Sequence, residues 1–177
     1  MHSIQKRHSL WLSSQVAEVL LTTRQAILHV MEHTVAGMNA GLSLDDIAAT
    51  ITLPDDIADK PWLGEFYGKA SWSARAFAVG TLGWYDGNPT HLGTLPSKVR
   101  AQRVAELAGG TGALLAAAEG SDDPQWVLEL CDHLSALGED VRALKANTLE
   151  TLAETEINAT ARNTYLWEAK RLRESNS

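Results

Sequence analysis

The chain predicts an all-α fold, and three observations carry that expectation. Apolar residues recur at spacings of three and four along most of the sequence, the period of an amphipathic helix. The stretches are punctuated by Ser or Asp at their starts and Gly at their ends. Apolar residues make up 45% of 177, which is enough for one domain with a buried core.

The first helix is expected from about Ser14 to Asn39. Val16, Val19, Leu20, Ile27, Val30, Met31, Val35 and Met38 fall on its apolar side, and Gly41 stops it. At 1.5 Å per residue it is roughly 39 Å long, beyond the usual helix, so it needs a partner along its length in this chain or another. Residues 1–13 are taken as an N-terminal arm and 14–177 as a single helical domain. A short helix follows, with Ser43 as N-cap and Asp46 three residues on. Residues 52–70 carry Pro54, Pro61, Gly64 and Gly68 and read as a loop with one helical turn near Asp55–Asp59. A helix from about Ser71 to Leu82 then leads into a turn at Gly83–Pro89.

Pro96 opens the second half. Ser97–Ala108 ends at Gly109-Gly110, and Thr111 is read as the cap of an Ala-rich helix to Glu119, closed by Gly120. Asp123 caps the next helix and Pro124 occupies its first turn. That helix runs to Leu137 with Gly138 after it, and Val127, Leu130, Cys131, Leu134 and Leu137 form its inner face. Asp140–Glu154 follows with Val141, Leu144, Thr148 and Leu152 inward. The last helix, Ala159–Glu174, is expected to bury Tyr165, Leu166, Ala169 and Leu172. These helical hairpins suggest a tetratricopeptide-like stack by geometry, without a visible 34-residue repeat.

Composition excludes several classes. A net charge of −7 argues against nucleic-acid binding, which needs a basic stripe. The small cluster Lys170, Arg171 and Arg173 suits a helix C-terminus. No apolar run approaches the ~20 residues of a membrane span. Gln15 and Glu18 interrupt the faint signal-peptide pattern after Lys6 and Arg7, so the expectation is a cytoplasmic protein. The single cysteine, Cys131, is expected as a buried thiol.

The run Gly83-Trp84-Tyr85-Asp86-Gly87-Asn88-Pro89 is the most specific local feature. Gly87 should adopt positive φ, and Pro89 should hold Asn88 extended. Trp84 and Tyr85 offer large rings with polar handles, so Trp84 is expected to be buried in the core or across a dimer. Tyr67, Trp72, Arg75, Trp84, Tyr85, Asp86 and Asn88 make the one cluster with a site-like composition. They serve either as a packed helix-turn core or as an interface anchor, because Trp, Tyr and Arg dominate hot spots.

The same run resembles the centre of the alkylsulfatase dimerisation domain, the helical middle domain of zinc alkylsulfatases of the metallo-β-lactamase superfamily. The resemblance continues through Asn39-Ala40-Gly41-Leu42, Asp45-Asp46-Ile47, Tyr67-Gly68, Trp72, Arg75, Leu107-Ala108-Gly109-Gly110 and Arg162-Asn163-Thr164-Tyr165-Leu166. It spans about residues 24–173. Departures fall at Ala78, Gly80 and Thr81. The resemblance implies a homodimer, with the turn near the dimer contact and near the mouth of a catalytic domain. It also implies interface roles for Arg162, Asn163 and Tyr165. The family's zinc motif, His-x-His-x-Asp-His, is absent among the six histidines, so zinc is expected only in a catalytic domain or a partner chain.

Other motifs compete less well. His29-Val30-Met31-Glu32-His33 fits the inverted zincin pattern, which would place His29 and His33 one turn apart as zinc ligands with Glu32 as base. The pattern needs a third ligand from a helix downstream, where the acidic candidates Asp45, Asp46 and Glu65 lie in no telling context, and the polar flank of a long helix explains it better. Asp45, Asp46, Asp55, Asp56, Asp122 and Asp123 sit where helix starts favour acids. Ser71 and Ser73 lack a nucleophile elbow. Gly109-Gly110-Thr111-Gly112 lacks the lysine of a phosphate loop.

The expected function is assembly without catalysis by this chain alone. The chain is either one domain of a larger zinc-dependent alkyl sulfate hydrolase or a free-standing relative serving a separate metallo-hydrolase. Met1 and the arm favour the free-standing form. Two alternatives remain: a small metal-dependent hydrolase using His29, Glu32 and His33, and a binding protein for an apolar ligand in a cavity lined by Trp126, Leu130 and Tyr165.

Overall fold

The computed structural model describes residues 2–174, with side chains described from Ser14 onward. Among the described residues every regular element is helical. The chain divides into two compact units, one ending at His91 and one beginning at Leu92.

The first unit is built on α1 (His2–Asn39), α2 (Leu44–Thr50), α3 (Asp55–Ala58) and α4 (Ala70–Leu82), with a 3-10 turn at Pro61–Leu63. Helix α1 starts twelve residues before the expected Ser14, because nothing in residues 2–13 is Gly or Pro to interrupt it. It ends at Gly41 with φ 74°, where Leu42 N–H donates to the Gly37 carbonyl and Gly41 N–H to that of Met38. That double bond is a Schellman motif, which needs a left-handed residue. The expected Ser43 cap forms: Ser43 Oγ accepts from Asp46 N–H at 3.1 Å and donates to Asp46 Oδ2 at 2.6 Å. Helix α1 packs on α2 and α4, and α2 on α4. Their core is small: Val30, Ile47, Ile51 and Ala74, with Met38, Leu44, Leu53 and Ala70 against it. A Cβ on Gly37 would lie 2.5 Å from Ile47 Cγ1, so this contact needs glycine.

The second unit holds α5 (Ser97–Ala108), α6 (Thr111–Glu119), α7 (Pro124–Leu137), α8 (Arg142–Thr155) and α9 (Ala159–Glu174). Each helix packs on the next, and α5 also on α7. One core joins Ala105, Leu114, Ala118, Val127, Leu130, Cys131, Leu134 and Val141. A second joins Ala146, Leu149, Ala169 and Leu172. Asp123 caps α7 as expected, its Oδ1 accepting from Gln125 and Trp126 N–H at 3.0 and 3.2 Å. Cys131 is fully buried, and that burial pushes its thiol up.

Three local expectations need correction. Gly110, at φ 115°, is the residue flanking α6, and Thr111 is already helical. Helix α8 begins at Arg142, because Asp140 uses its carboxylate to accept the Arg142 N–H from outside the helix. Leu166 is 46% exposed; α9 turns Ala161, Tyr165, Ala169 and Leu172 inward instead. Asn158, fully buried, starts α9 by accepting the Ala161 N–H on its Oδ1 at 3.0 Å.

Candidate functional site

The Gly83–Pro89 turn is braced by its own polar side chains. Gly83 and Gly87 take φ of 77° and 89°, so the chain reverses through two left-handed glycines. Asp86 Oδ1 accepts the Asn88 N–H at 3.1 Å, an Asx turn. Asn88 Oδ1 accepts the Thr90 N–H at 3.1 Å, and the Asn88 carbonyl accepts from His91 N–H at 2.9 Å. His91 Nδ1 lies 2.6 Å from Asp86 Oδ2 and donates to it as the Nδ1–H tautomer. The Asn88 N–H and then His91 hold the Asp86 carboxyl below its ordinary value of 3.8. The sequence signal for His91 was weak, since a histidine five residues after an aspartate has no helical or turn rule behind it.

The rings stand on this brace rather than inside it. Trp84 is 75% exposed, which overturns its expected place in the core. Its ring meets Tyr85 at 5.8 Å between centroids, tilted by 60°. Tyr85, Asp86, Asn88 and His91 border a cavity of about 580 Å³ together with Met38, Leu42, Ser43 and Leu44 at the α1–α2 corner. The other expected members lie apart. Arg75 pairs with Asp45 of α2. Trp72 stands beneath the Lys69 ammonium, 5.7 Å from its ring centroid. Tyr67 is 78% exposed on the connection before α4. Arg162 and Asn163 are exposed on α9, and Tyr165 packs on the core formed by α8 and α9. These three belong to the second unit, and the turn to the first.

The first unit also carries an open apolar face. A groove of about 620 Å³ is walled by Ala26, Ile27, Val30 and Met31 of α1, Leu53, Trp62 and Leu63 of the connection, and Ala70 and Phe77 of α4. Trp62 is fixed at its edge by donating from Nε1 to Thr22 Oγ1 at 2.9 Å. Beside it, Val16, Leu20, Ile27, Met31 and Val35 of α1 are between 37% and 64% exposed. Contiguous exposed apolar surface of this kind marks an interaction site rather than ordinary solvent-facing surface.

His29 and His33 of α1 serve the fold. His29 Nε2 lies 2.8 Å from the Thr52 carbonyl and His33 Nε2 3.3 Å from Thr50 Oγ1, tying α1 to the end of α2 and the chain just after it. Among the described residues no group of three or more His, Cys, Asp or Glu is arranged to hold a metal ion. The expected ligand cavity does not form as drawn: Leu130 is sealed in one core of the second unit and Tyr165 packs on the other. Among the described residues no helix is long and apolar enough to cross a membrane.

Comparison with known proteins shows the family of the chain. Residues 43–175 match the family described as alkyl sulfatase dimerisation. The chain is 35% identical over 165 residues to a linear primary-alkylsulfatase of a Pseudomonas strain, covering 89% of this chain and 31% of that protein. It is 34% identical over 170 residues to an (R)-specific secondary-alkylsulfatase of Pseudomonas, covering 92% and 26%. The solved structure of the stereoselective inverting sec-alkylsulfatase Pisa1 from Pseudomonas superposes with a TM-score of 0.83 at 33% identity, covering 90% of this chain and 26% of that one. The chain thus spans between a quarter and a third of the length of these relatives.

Proposed function

Because this chain belongs to the alkyl sulfatase dimerisation family, we propose that it works by assembly, pairing with a second copy of itself and holding zinc-dependent alkyl sulfate hydrolase domains in the pair. Those domains lie on the same polypeptide or on a separate metallo-hydrolase chain. The observation that carries the reading is the open apolar face of α1, which the first unit leaves uncovered. In this reading zinc and sulfate-ester chemistry belong to the hydrolase domains, and this chain alone takes up no stoichiometric zinc. Light scattering at micromolar concentration should give twice the chain mass of 19.2 kDa. A monomer mass alone would sink the reading. Metal analysis of the same sample should find well under one zinc per chain.

The groove of about 620 Å³ favours a second reading, an apolar ligand such as an alkyl chain lying against Trp62, Leu63 and Phe77. Its volume is that of an ordinary small-molecule pocket. A thermal shift with alkyl sulfates or fatty acids, lost on Phe77→Asp, separates it from pure assembly.

A further inference from the structure

The exposed face of α1 has a spacing that reads the same in both directions. Its residues are Val16, Leu20, Arg24, Ile27, Met31 and Val35, separated by 4, 4, 3, 4 and 4 positions. At 100° per residue these six fall on one side of the helix, next to the buried side formed by Ala26, Val30 and Thr34. Five are apolar and exposed by between 37% and 64%; the exception, Arg24, stands near the middle.

A palindromic stripe has a specific geometric consequence. Two copies laid antiparallel about a twofold axis between residues 25 and 26 bring Val16 opposite Val35, Leu20 opposite Met31 and Arg24 opposite Ile27. Each pairing then occurs twice, as a twofold interface requires: residue i meets j, and j meets i. A parallel pairing would put Arg24 against Arg24 at the centre, two like charges across the closest approach. The stripe spans roughly 28 Å of helix, long enough for a continuous seam of knobs and holes. Ile27 and Met31 also wall the groove beside the stripe, which widens the contact beyond one helix edge toward the ~800 Å² per partner of a standard interface.

We infer that the second copy docks on this stripe, so that antiparallel pairing of α1 with α1 forms the centre of the dimer contact. The inference rests on the self-association proposed above. It also goes beyond the family match, because all of α1 precedes residue 43, where that match begins.

Two experiments on the full chain test it. The variant Leu20→Glu/Met31→Glu places acids on both sides of the axis without touching a buried residue. It should run at the 19.2 kDa monomer mass with unchanged helical circular dichroism, while the parent runs as a dimer. If parent and variant are both dimers, the stripe is covered by something else and this inference falls, while the assembly reading stands. If the parent is itself a monomer, both fall. The second experiment fixes direction. Positions 20 and 31 are roughly 16 Å apart along one helix, too far for a disulfide within a copy or between like positions of an antiparallel pair. Under mild oxidation Leu20→Cys/Met31→Cys should therefore give a covalent dimer, and either single cysteine variant should not. Cross-linking of the single variants as fast as the double would mean a parallel or shifted pairing and overturn the antiparallel arrangement.

Discussion

The unit ending at His91 buries Val30, Ile47, Ile51 and Ala74 and leaves an apolar row along α1 open. The unit beginning at Leu92 buries Leu114, Val127, Leu130, Leu134, Leu149 and Leu172 in two cores of its own. Both are made of amphipathic helices. The second also exposes large apolar side chains: Leu92, Leu95, Leu107, Trp126, Ile157, Leu166 and Trp167. Apart from the neighbours Leu166 and Trp167 on α9, those are scattered over helices and connections without a helical row. In the first unit five of the exposed apolar residues, Val16, Leu20, Ile27, Met31 and Val35, are aligned on one helix at helical spacing. The difference is one of pattern rather than amount, and pattern is what distinguishes surface reserved for another chain from surface that merely faces water.

The strongest way to break that comparison is to remove a large side chain from each kind of place. Leu134 is completely buried between α7 and its neighbours, so Leu134→Ala should cost about 2–5 kcal/mol, read as a lowered urea midpoint. Trp84 is larger, but it is 75% exposed and its turn is braced by Asp86, Asn88 and His91. Trp84→Ala should stay within about 0.5 kcal/mol of the parent. A Trp84→Ala cost near that of Leu134→Ala would show the ring covered in the assembled protein, and would bring the turn into the contact.

Much of this architecture was legible in the sequence, and the misses have physical causes. Helix α7 was read to both ends because Asp123-Pro124 and Gly138 leave the backbone little choice there. The limits of α9 were read too, and so were Tyr165, Ala169 and Leu172 on its inner face, but not Leu166. Ala161 and Leu166 differ by about 140° around the helix, and burial chose the small residue. The start of α1 was missed because residues 2–13 carry no Gly or Pro to mark a boundary. The motif at residues 83–89 was found, and so was the positive φ of Gly87, but Trp84 was assigned to the core or to a dimer contact, and it does not lie in the core. Amphipathic rings suit a core and an interface equally, and one chain's sequence does not separate the two. Pairings such as Asp86 with His91 and Asp45 with Arg75 depend on where the chain turns and were invisible to spacing rules.

Two glycines sharpen the contrast within the first unit. Alanine normally stabilises a helix interior by up to about 1 kcal/mol over glycine. Gly80 on α4 has nothing within 4 Å of the place its Cβ would take, so Gly80→Ala should gain about that much. Gly37 on α1 faces Ile47, whose Cγ1 and Cδ1 would lie 2.5 and 2.9 Å from the new carbon. Ile47 is only 1% exposed and has no room to withdraw. Gly37→Ala should therefore lose about 1–3 kcal/mol. Opposite signs for one substitution in neighbouring helices would show that the inner side of α1 is closely fitted while α4's outer side is open. A gain at both positions would mean the α1–α2 contact is looser than described.

The smallest effect compares one carboxylate from each unit. Asp140 is pulled down to about 2, first by the Arg142 guanidinium at 2.7 Å and then by its backbone N–H. Asp86 is lowered from the ordinary 3.8, with the Asn88 N–H as the larger cause and His91 the second. Both groups have folded values below their unfolded ones, so each contributes stability that is fully present above about pH 4 and is lost as pH falls through the folded value. Both are solvent-accessible, so the effect on global unfolding is small and the readout is each carboxyl's own titration by NMR. The order of causes then makes a sharp prediction. His91→Ala removes the second cause and keeps the first, so the Asp86 midpoint should rise but remain below 3.8. Arg142→Ala removes the leading cause at Asp140, so that midpoint should move most of the way from about 2 toward 3.8. If His91→Ala instead returns Asp86 fully to its ordinary value, the histidine and not the Asx turn holds the carboxylate, and the bend under Trp84 is set by a pairing between side chains rather than by the backbone N–H.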